Sequence, residues 1–146
     1  MDDAGLSQGL TIRRARPEEL AACAELYVRV LQETFTWLPK DRHRAEDFLA
    51  AAREEEVFVA VEDGRLLGLA ALYRPQAFLH SLYVDARGRG VGKALLDYVI
   101  AAAGGRLQLK CQTANRGAQA FYLREGFRCT EAGEDGGVAW LRYVIG

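Results

Sequence analysis

The chain has few cysteines and no long apolar run, and both absences exclude classes of protein. Cys23, Cys111 and Cys129 are an odd number, lie far apart and form no CxxC pair, whereas disulfide frameworks and structural zinc sites need paired or closely spaced cysteines. No basic-then-apolar segment opens the chain, as in a secretion signal, and nothing approaches the roughly 20 apolar residues of a membrane span. We expect a cytoplasmic protein with free thiols, no metal and no membrane partner.

Charge of neither sign dominates. Lys plus Arg number 19 and Asp plus Glu number 20, for a net charge of -1. Nucleic-acid-binding domains normally carry excess positive charge, so no nucleic-acid partner is expected. Three prolines, no long polar tract and 50% hydrophobic residues favour one compact core. We predict a flexible tail over residues 1–9 and a single domain over residues 10–146.

Hydrophobic periodicity predicts strands and helices that form a mixed α/β sheet with helices on its faces. Pro17 suits the first turn of a helix, Asp41 is available to cap a second helix, and Asp63-Gly64 is typical of a hairpin turn. In chain order we predict a strand at 10–15, helices at 17–31 and 42–54, strands at 57–61, 66–73 and 78–84, a helix at 91–102, a strand at 107–112, a helix at 116–125, and strands from 127 and over 138–144.

A glycine-rich turn leads from a predicted strand directly into a helix. Residues 84–96 read VDARGRGVGKALL. Three alternate glycines let the backbone approach a ligand closely, and the helix start adds free N–H groups and a positive dipole end. With two arginines and a lysine beside them, these features predict a pyrophosphate site. A P-loop is excluded because GxxxxGK[ST] is absent, and Lys93 replaces the last glycine or alanine of a dinucleotide fingerprint.

Two motifs resemble those of the GNAT superfamily of N-acetyltransferases. RGRGVG followed by KALL resembles the acyl-CoA pyrophosphate loop [RQ]-x-x-G-x-[GA], and NRGAQAFYLREGF over Asn115–Phe127 is similar to N-x-x-A-x-x-F-Y-x-x-x-G-F. The motifs follow in the family's order, separated by one helix and one strand. One departure is the short junction of Asp85 and Ala86 before Arg87, where about four residues are common. Which amides meet the phosphates is therefore left open.

The resemblance implies a single-domain α/β (α+β) fold with a mixed, mostly antiparallel sheet of about six to seven strands and about four flanking helices. It also implies acetyl-CoA as acyl donor, with strand 78–84 offering backbone groups to the pantetheine and an N–H near Leu82 polarising the thioester carbonyl. The acetyl-CoA-binding residues implied are Leu82, Tyr83, Val84, Arg87, Gly88, Arg89, Gly90, Val91, Gly92, Lys93, Asn115 and Tyr122.

The resemblance implies roles in acetyl transfer for two of these positions and for one histidine. The resemblance implies that Tyr122 donates a proton to the leaving thiolate; alternatively, Phe121 and Tyr122 simply pack the helix onto the sheet, with the hydroxyl at the surface. We expect Phe121 to fill the core slot, which favours the proton-donor role of Tyr122. Asn115 would bond the pantetheine, cap a helix, or both. His80 is placed on the face of Phe78 and Leu82, and the resemblance implies a general base there, a role that the ordinary pKa of histidine suits. Alternatively His80 is a packed or hydrogen-bonded histidine, and a water chain or Glu33 would also serve as the base.

The acceptor and the assembly are less defined. Phe35 and Trp37, between the first two predicted helices, would line an apolar part of the acceptor pocket or simply pack a loop. A primary amine of a small molecule or peptide is the expected acceptor. A catalytically silent acyl-CoA-binding sensor is the alternative, and a structural role for the glycine turn is a third reading. The C-terminal strand would provide an edge for a homodimer.

Overall fold

The computed structural model describes residues 9–34, 36, 44–85 and 90–146. The predicted tail lies outside these residues except for Gly9, as do Phe35, Trp37, Arg87, Gly88 and Arg89. The strands are β1 (Leu10–Arg14), β2 (Glu56–Glu62), β3 (Arg65–Tyr73), β4 (Phe78–Val84), β5 (Leu107–Gln112), β6 (Arg128–Asp135) and β7 (Val138–Ile145). The helices are α1 (Leu20–Thr34), α2 (Ala45–Ala52), α3 (Val91–Ala102) and α4 (Arg116–Arg124).

The strands form one mixed sheet in the order β1-β2-β3-β4-β5-β7-β6, and the predicted fold class is confirmed. Among the described residues, β4 and β5 are the one parallel pair, and the other neighbours run antiparallel. The β2–β3 hairpin turns at Asp63 and Gly64, whose φ angles of 50° and 77° match the left-handed conformation that such turns need.

Helices cover the two faces of the sheet with separate hydrophobic clusters. On one face, α3 and α4 pack through residues such as Leu95, Leu96 and Tyr122. On the other face, α1 and α2 pack through residues such as Cys23, Leu26 and Phe48. The strands between these layers are therefore apolar on both sides, and β3 is buried over residues 67–72.

Three local expectations were wrong. The second helix begins at Ala45 rather than 42, and its N-cap residue Arg44 provides no side-chain cap; Asp41 lies outside the described residues. Phe127 is buried before the strand instead of starting it, since β6 begins at Arg128. The C-terminal strand β7 is not an edge, because it pairs with both β5 and β6; β6 is the edge strand on that side.

Candidate functional site

A cleft opens where β4 and β5 part. The two strands pair at Phe78 and Gln108, and the Gln108 N–H donates to the Ala77 carbonyl at 2.8 Å. Towards their carboxyl ends, β4 continues to pair with β3 and β5 with β7. A cleft of about 840 Å³ lies beside these ends, a volume typical of ligand pockets. Four segments line it: residues 82–84 of β4, residues 90–93 at the start of α3, residues 30, 33 and 34 of α1, and the segment around α4. From the last segment the lining residues are 114–118, 121, 122, 124 and 125.

The start of α3 provides an anion-binding end to this cleft. Gly90 is the N-cap residue with φ 77°, a conformation that residues with a Cβ rarely adopt. The Gly90 carbonyl accepts from the Ala94 N–H at 3.0 Å, which closes the first turn. The first N–H groups of a helix have no intrahelical partner and carry the positive end of the dipole. Residues 90–93 line the cleft, so this end suits a phosphate group.

The ammonium group of Lys93 is held by carboxylates. Its Nζ lies 2.8 Å from Oε1 of Glu125, the C-cap residue of α4, and 3.4 Å from Oδ2 of Asp97 in α3. The hydrogen bond to Glu125, and then the charge of Asp97, raise the pKa of Lys93. Lys93 thus connects α3 to the end of α4 along the cleft wall. The glycine-rich motif did not predict this contact, because Lys93 and Glu125 are distant in sequence.

Tyr122 is buried in the wall of the cleft, with 8% of its surface exposed. Its ring packs against Phe121 and Phe127, at centroid distances of 5.1 and 5.4 Å. The expectation that Phe121 fills the core slot was wrong, because Phe121 is half-buried and Tyr122 belongs to the core cluster. Burial raises the pKa of Tyr122, so its hydroxyl stays protonated at neutral pH.

Asn115 combines the N-cap position of α4 with a place in the cleft wall. Its Oδ1 accepts a hydrogen bond from the Ala118 N–H at 3.1 Å, and the residue lines the cleft beside α4. The cap confirms one of the two roles expected of Asn115. The side-chain amide can serve a ligand as well, because a cap of this kind uses the oxygen and leaves the NH₂ donors to other partners.

A β-bulge changes the face on which His80 lies. Ala71 pairs with Ser81 and Leu72 with Leu79, so His80 is the extra residue of β4. Leu79 and Leu82 consequently pack in the same cluster, on the α3 face, although they are three residues apart. The prediction that His80 shares a face with Leu82 was wrong, because strict alternation does not continue through a bulge. The His80 imidazole Nδ1 instead lies 2.7 Å from Glu55 Oε2.

The remaining candidate residues differ in where they lie relative to the cleft. Glu33 of α1 lines the cleft and keeps its place as an alternative base, whereas His80 is not among the described lining residues. Burial raises the pKa of Cys111 to about 11, which opposes thiolate formation and fits the expected core thiol.

Several lining residues had no signal in the motifs. Val30 and Thr34 are four residues apart and therefore lie on one face of α1. Arg116 and Arg124 lie on α4. Helical periodicity identifies such a face as inward or outward. It does not show that the face borders a cleft, which depends on how the helix packs.

Within the described ranges, His, Cys, Asp and Glu form no group of three or more that could hold a metal ion. The same ranges contain no helix with the length and apolar character of a membrane span.

Comparison with known proteins connects this geometry to one family. Residues 20–127 match the model of the acetyltransferase (GNAT) family. The chain is 31% identical over 135 residues to the peptidyl-lysine N-acetyltransferase YiaC of Escherichia coli, covering 82% of this chain and 84% of that protein. It is 29% identical over 162 residues to an uncharacterised N-acetyltransferase of Methanocaldococcus jannaschii, covering 99% of this chain and 70% of that protein.

Solved structures share the architecture. The solution structure of apo-form YjaB from E. coli superposes with a TM-score of 0.75 at 26% identity, covering 92% of this chain and 96% of that one. The structure of yncA from Salmonella typhimurium with acetyl-CoA gives a TM-score of 0.70 at 21% identity, covering 94% of this chain and 93% of that one. The second comparison supports the fold alone, because its identity is low.

Proposed function

This chain belongs to the GNAT family and is an acetyl-CoA-dependent acyltransferase, and from that premise we propose that it transfers the acetyl group to a primary amine by direct attack. The observation that supports the proposal best is a single cleft that combines the positive end of α3 with the buried side chain of Tyr122. The first feature suits a pyrophosphate, and the hydroxyl of the second would protonate a leaving thiolate.

Acetyl-CoA fits the residues that line this cleft. The backbone N–H groups of residues 90–93 would hold the pyrophosphate, with Arg87 and Arg89 adding charge. Residues 82–84 of β4 border the cleft where β5 no longer pairs with them, so their backbone groups would receive the pantetheine as an added strand would. Asn115 would complete the pantetheine contacts, and the Leu82 N–H would polarise the thioester carbonyl.

The reaction needs two protons to move. A primary amine with a pKa near 10 is protonated at neutral pH and first gives one proton to a base, for which we propose His80. The amine nitrogen then forms a bond to the thioester carbon, and the carbon–sulfur bond breaks with its electron pair on sulfur. The Tyr122 hydroxyl protonates that sulfur and recovers a proton from the acylated nitrogen. The products are the amide, the free thiol and the proton on His80.

The acceptor is proposed to be the side-chain amine of lysine in a peptide. The support is the resemblance to two proteins named peptidyl-lysine N-acetyltransferases: YiaC of E. coli and YjaB of S. typhimurium, the latter 30% identical over 132 residues and covering 86% of this chain. Glu33, exposed in the cleft wall, would attract a cationic acceptor. Phe35 and Trp37 are retained as proposed contacts of the acceptor. A cytoplasmic location is proposed because Cys23, Cys111 and Cys129 are free thiols.

A panel of amines tests the proposal. The purified protein is titrated with acetyl-CoA by calorimetry, and thiol release is then followed with lysine-containing peptides, the same peptides with lysine replaced by norleucine, free amino acids and polyamines. We expect binding and release with the lysine peptides, together with a mass increase of one acetyl group on lysine. Release with another amine class alone would overturn the peptide assignment. Binding without release on any amine would favour the silent sensor.

A further inference from the structure

A histidine–carboxylate pair lies on β4, the strand that borders the cleft. His80 Nδ1 and Glu55 Oε2 are 2.7 Å apart. The Glu55 side chain is 10% exposed, whereas that of His80 is 50% exposed. A carboxylate withdrawn from water in this way needs a hydrogen-bond donor. The imidazole provides the donor and still presents half of its surface to solvent or to a ligand.

Separate parts of the fold bring the two partners together. Glu55 lies between the end of α2 and the start of β2, and its N–H donates to the Ala52 carbonyl at 3.4 Å. His80 is the extra residue of the bulge in β4, and bulges re-aim side chains and recur beside active sites. The pair therefore depends on the docking of α2 and β2 against the bulged strand, and a regular β4 would point His80 elsewhere.

The pair lies next to the wall of the cleft. Ser81, the neighbour of His80, is buried and its side chain is hydrogen-bonded to Tyr83. Tyr83 lines the cleft, and the charge of Glu55 acts on it. Leu82, whose N–H is proposed to meet the thioester carbonyl, is two residues from His80 and also lines the cleft. The imidazole thus lies close along the strand to the proposed reaction centre.

We propose that Glu55 is a positioning residue that holds His80 with Nδ1 protonated, so that Nε2 takes the proton from the acceptor amine directly or through one water. An ionised carboxylate only accepts hydrogen bonds, so the atom facing it must carry the hydrogen. The second nitrogen then has a lone pair available. This inference rests on the proposed function for its last step, whereas the tautomer and the orientation of His80 do not depend on acetyl transfer.

The pH dependence follows from the same contact. The hydrogen bond to Glu55 raises the pKa of His80 and burial opposes it; among the described residues, Glu55 is the charged group that acts on this imidazole. A base works only when Nε2 is unprotonated, so the rate should rise with pH through this raised pKa. Removing the Glu55 charge should move that rise to lower pH.

NMR titration tests the positioning role without any turnover. The chain has two histidines, His43 and His80, so His43→Gln leaves one imidazole to follow. We expect the neutral imidazole to carry its proton on Nδ1 in this background. Glu55→Gln should lower the His80 pKa and mix the two tautomers, while Glu54→Gln, which removes an exposed neighbouring charge, should change neither. An unchanged titration and tautomer in Glu55→Gln would overturn the positioning role.

Kinetics test the base role. Glu55→Gln should lower the plateau kcat by about tenfold, which is below the 10² to 10⁴ that a general base contributes. In a His80→Ala background the same change should have no further effect, because Glu55 acts through His80. An equal loss in both backgrounds would overturn the inference. A parent protein that releases no thiol with any amine would overturn the proposed function and the base role, and the NMR result would still report on Glu55.

Discussion

Tyr122→Phe isolates the proposed proton donor, because it removes one oxygen and leaves the ring. The phenyl ring keeps its packing against Phe121 and Phe127 at about 5 Å, so the fold and the cleft wall should be preserved. Proton transfer by a positioned side chain is worth about 10² to 10⁴ in rate. We therefore expect kcat to fall by at least about 10², or about 2.7 kcal/mol of transition-state stabilisation.

The assay separates turnover from binding. Thiol release is measured at saturating acetyl-CoA and acceptor, and acetyl-CoA affinity is measured by calorimetry. Affinity should change by less than about threefold, because the hydroxyl acts in the transition state rather than in the bound ground state. Phe121→Leu is the matched control, since it changes the neighbouring ring and adds no polar group. A Tyr122→Phe enzyme with the kcat of the parent would refute the assignment of Tyr122 as proton donor.

Three further predictions concern the glycine turn and stability. Gly90→Val should weaken acetyl-CoA binding by about tenfold in calorimetry, because valine disfavours the φ of 77° at this N-cap; unaltered affinity would contradict the phosphate site. Lys93→Gln should leave that affinity within about threefold, since its ammonium is already bonded to Glu125, and a loss of about a hundredfold would show that the ammonium meets phosphate. The hydrogen bond from Arg13 lowers the pKa of Glu19 to about 2. A carboxyl whose pKa is lower in the folded state stabilises the fold at pH values above its unfolded pKa, and this effect is lost as the pH falls from about 4.5 to about 2. After a discount for solvent exposure, urea unfolding should show about 1 kcal/mol less stability for Glu19→Gln at pH 7 and no difference near pH 2. Equal losses of stability at both pH values would contradict this pairing.

The local elements of the fold could be predicted because their signals lie within a few residues. The strand predicted over Phe78–Val84 has the observed bounds. Asp63-Gly64 and Gly104-Gly105 adopt the positive φ angles typical of their turns. Pro17 begins a 3₁₀ turn that leads directly into α1. Each of these features depends on backbone preferences and on the period of apolar residues, which a single sequence contains.

Contacts between distant segments could not be predicted in the same way. The bulge at His80 depends on how β4 pairs with β3, and a residue pattern of period two does not show an unpaired residue. The pairing of Lys93 with Glu125 depends on α3 and α4 lying side by side. The burial of Tyr122 rather than Phe121 depends on the rotation of α4 against the sheet.

The candidate site therefore divides into two parts. Its chemical groups were readable along the chain, because a glycine turn before a helix and the segment Asn115–Phe127 each carry their pattern within a short stretch. The cleft itself was decided only by folding, since it exists where β4 and β5 separate beyond Phe78 and where α1 and α4 close the gap. The pairing of Glu55 with His80 belongs to that second part, because a hydrogen bond between separate strands and turns forms only when tertiary packing brings its two atoms within reach.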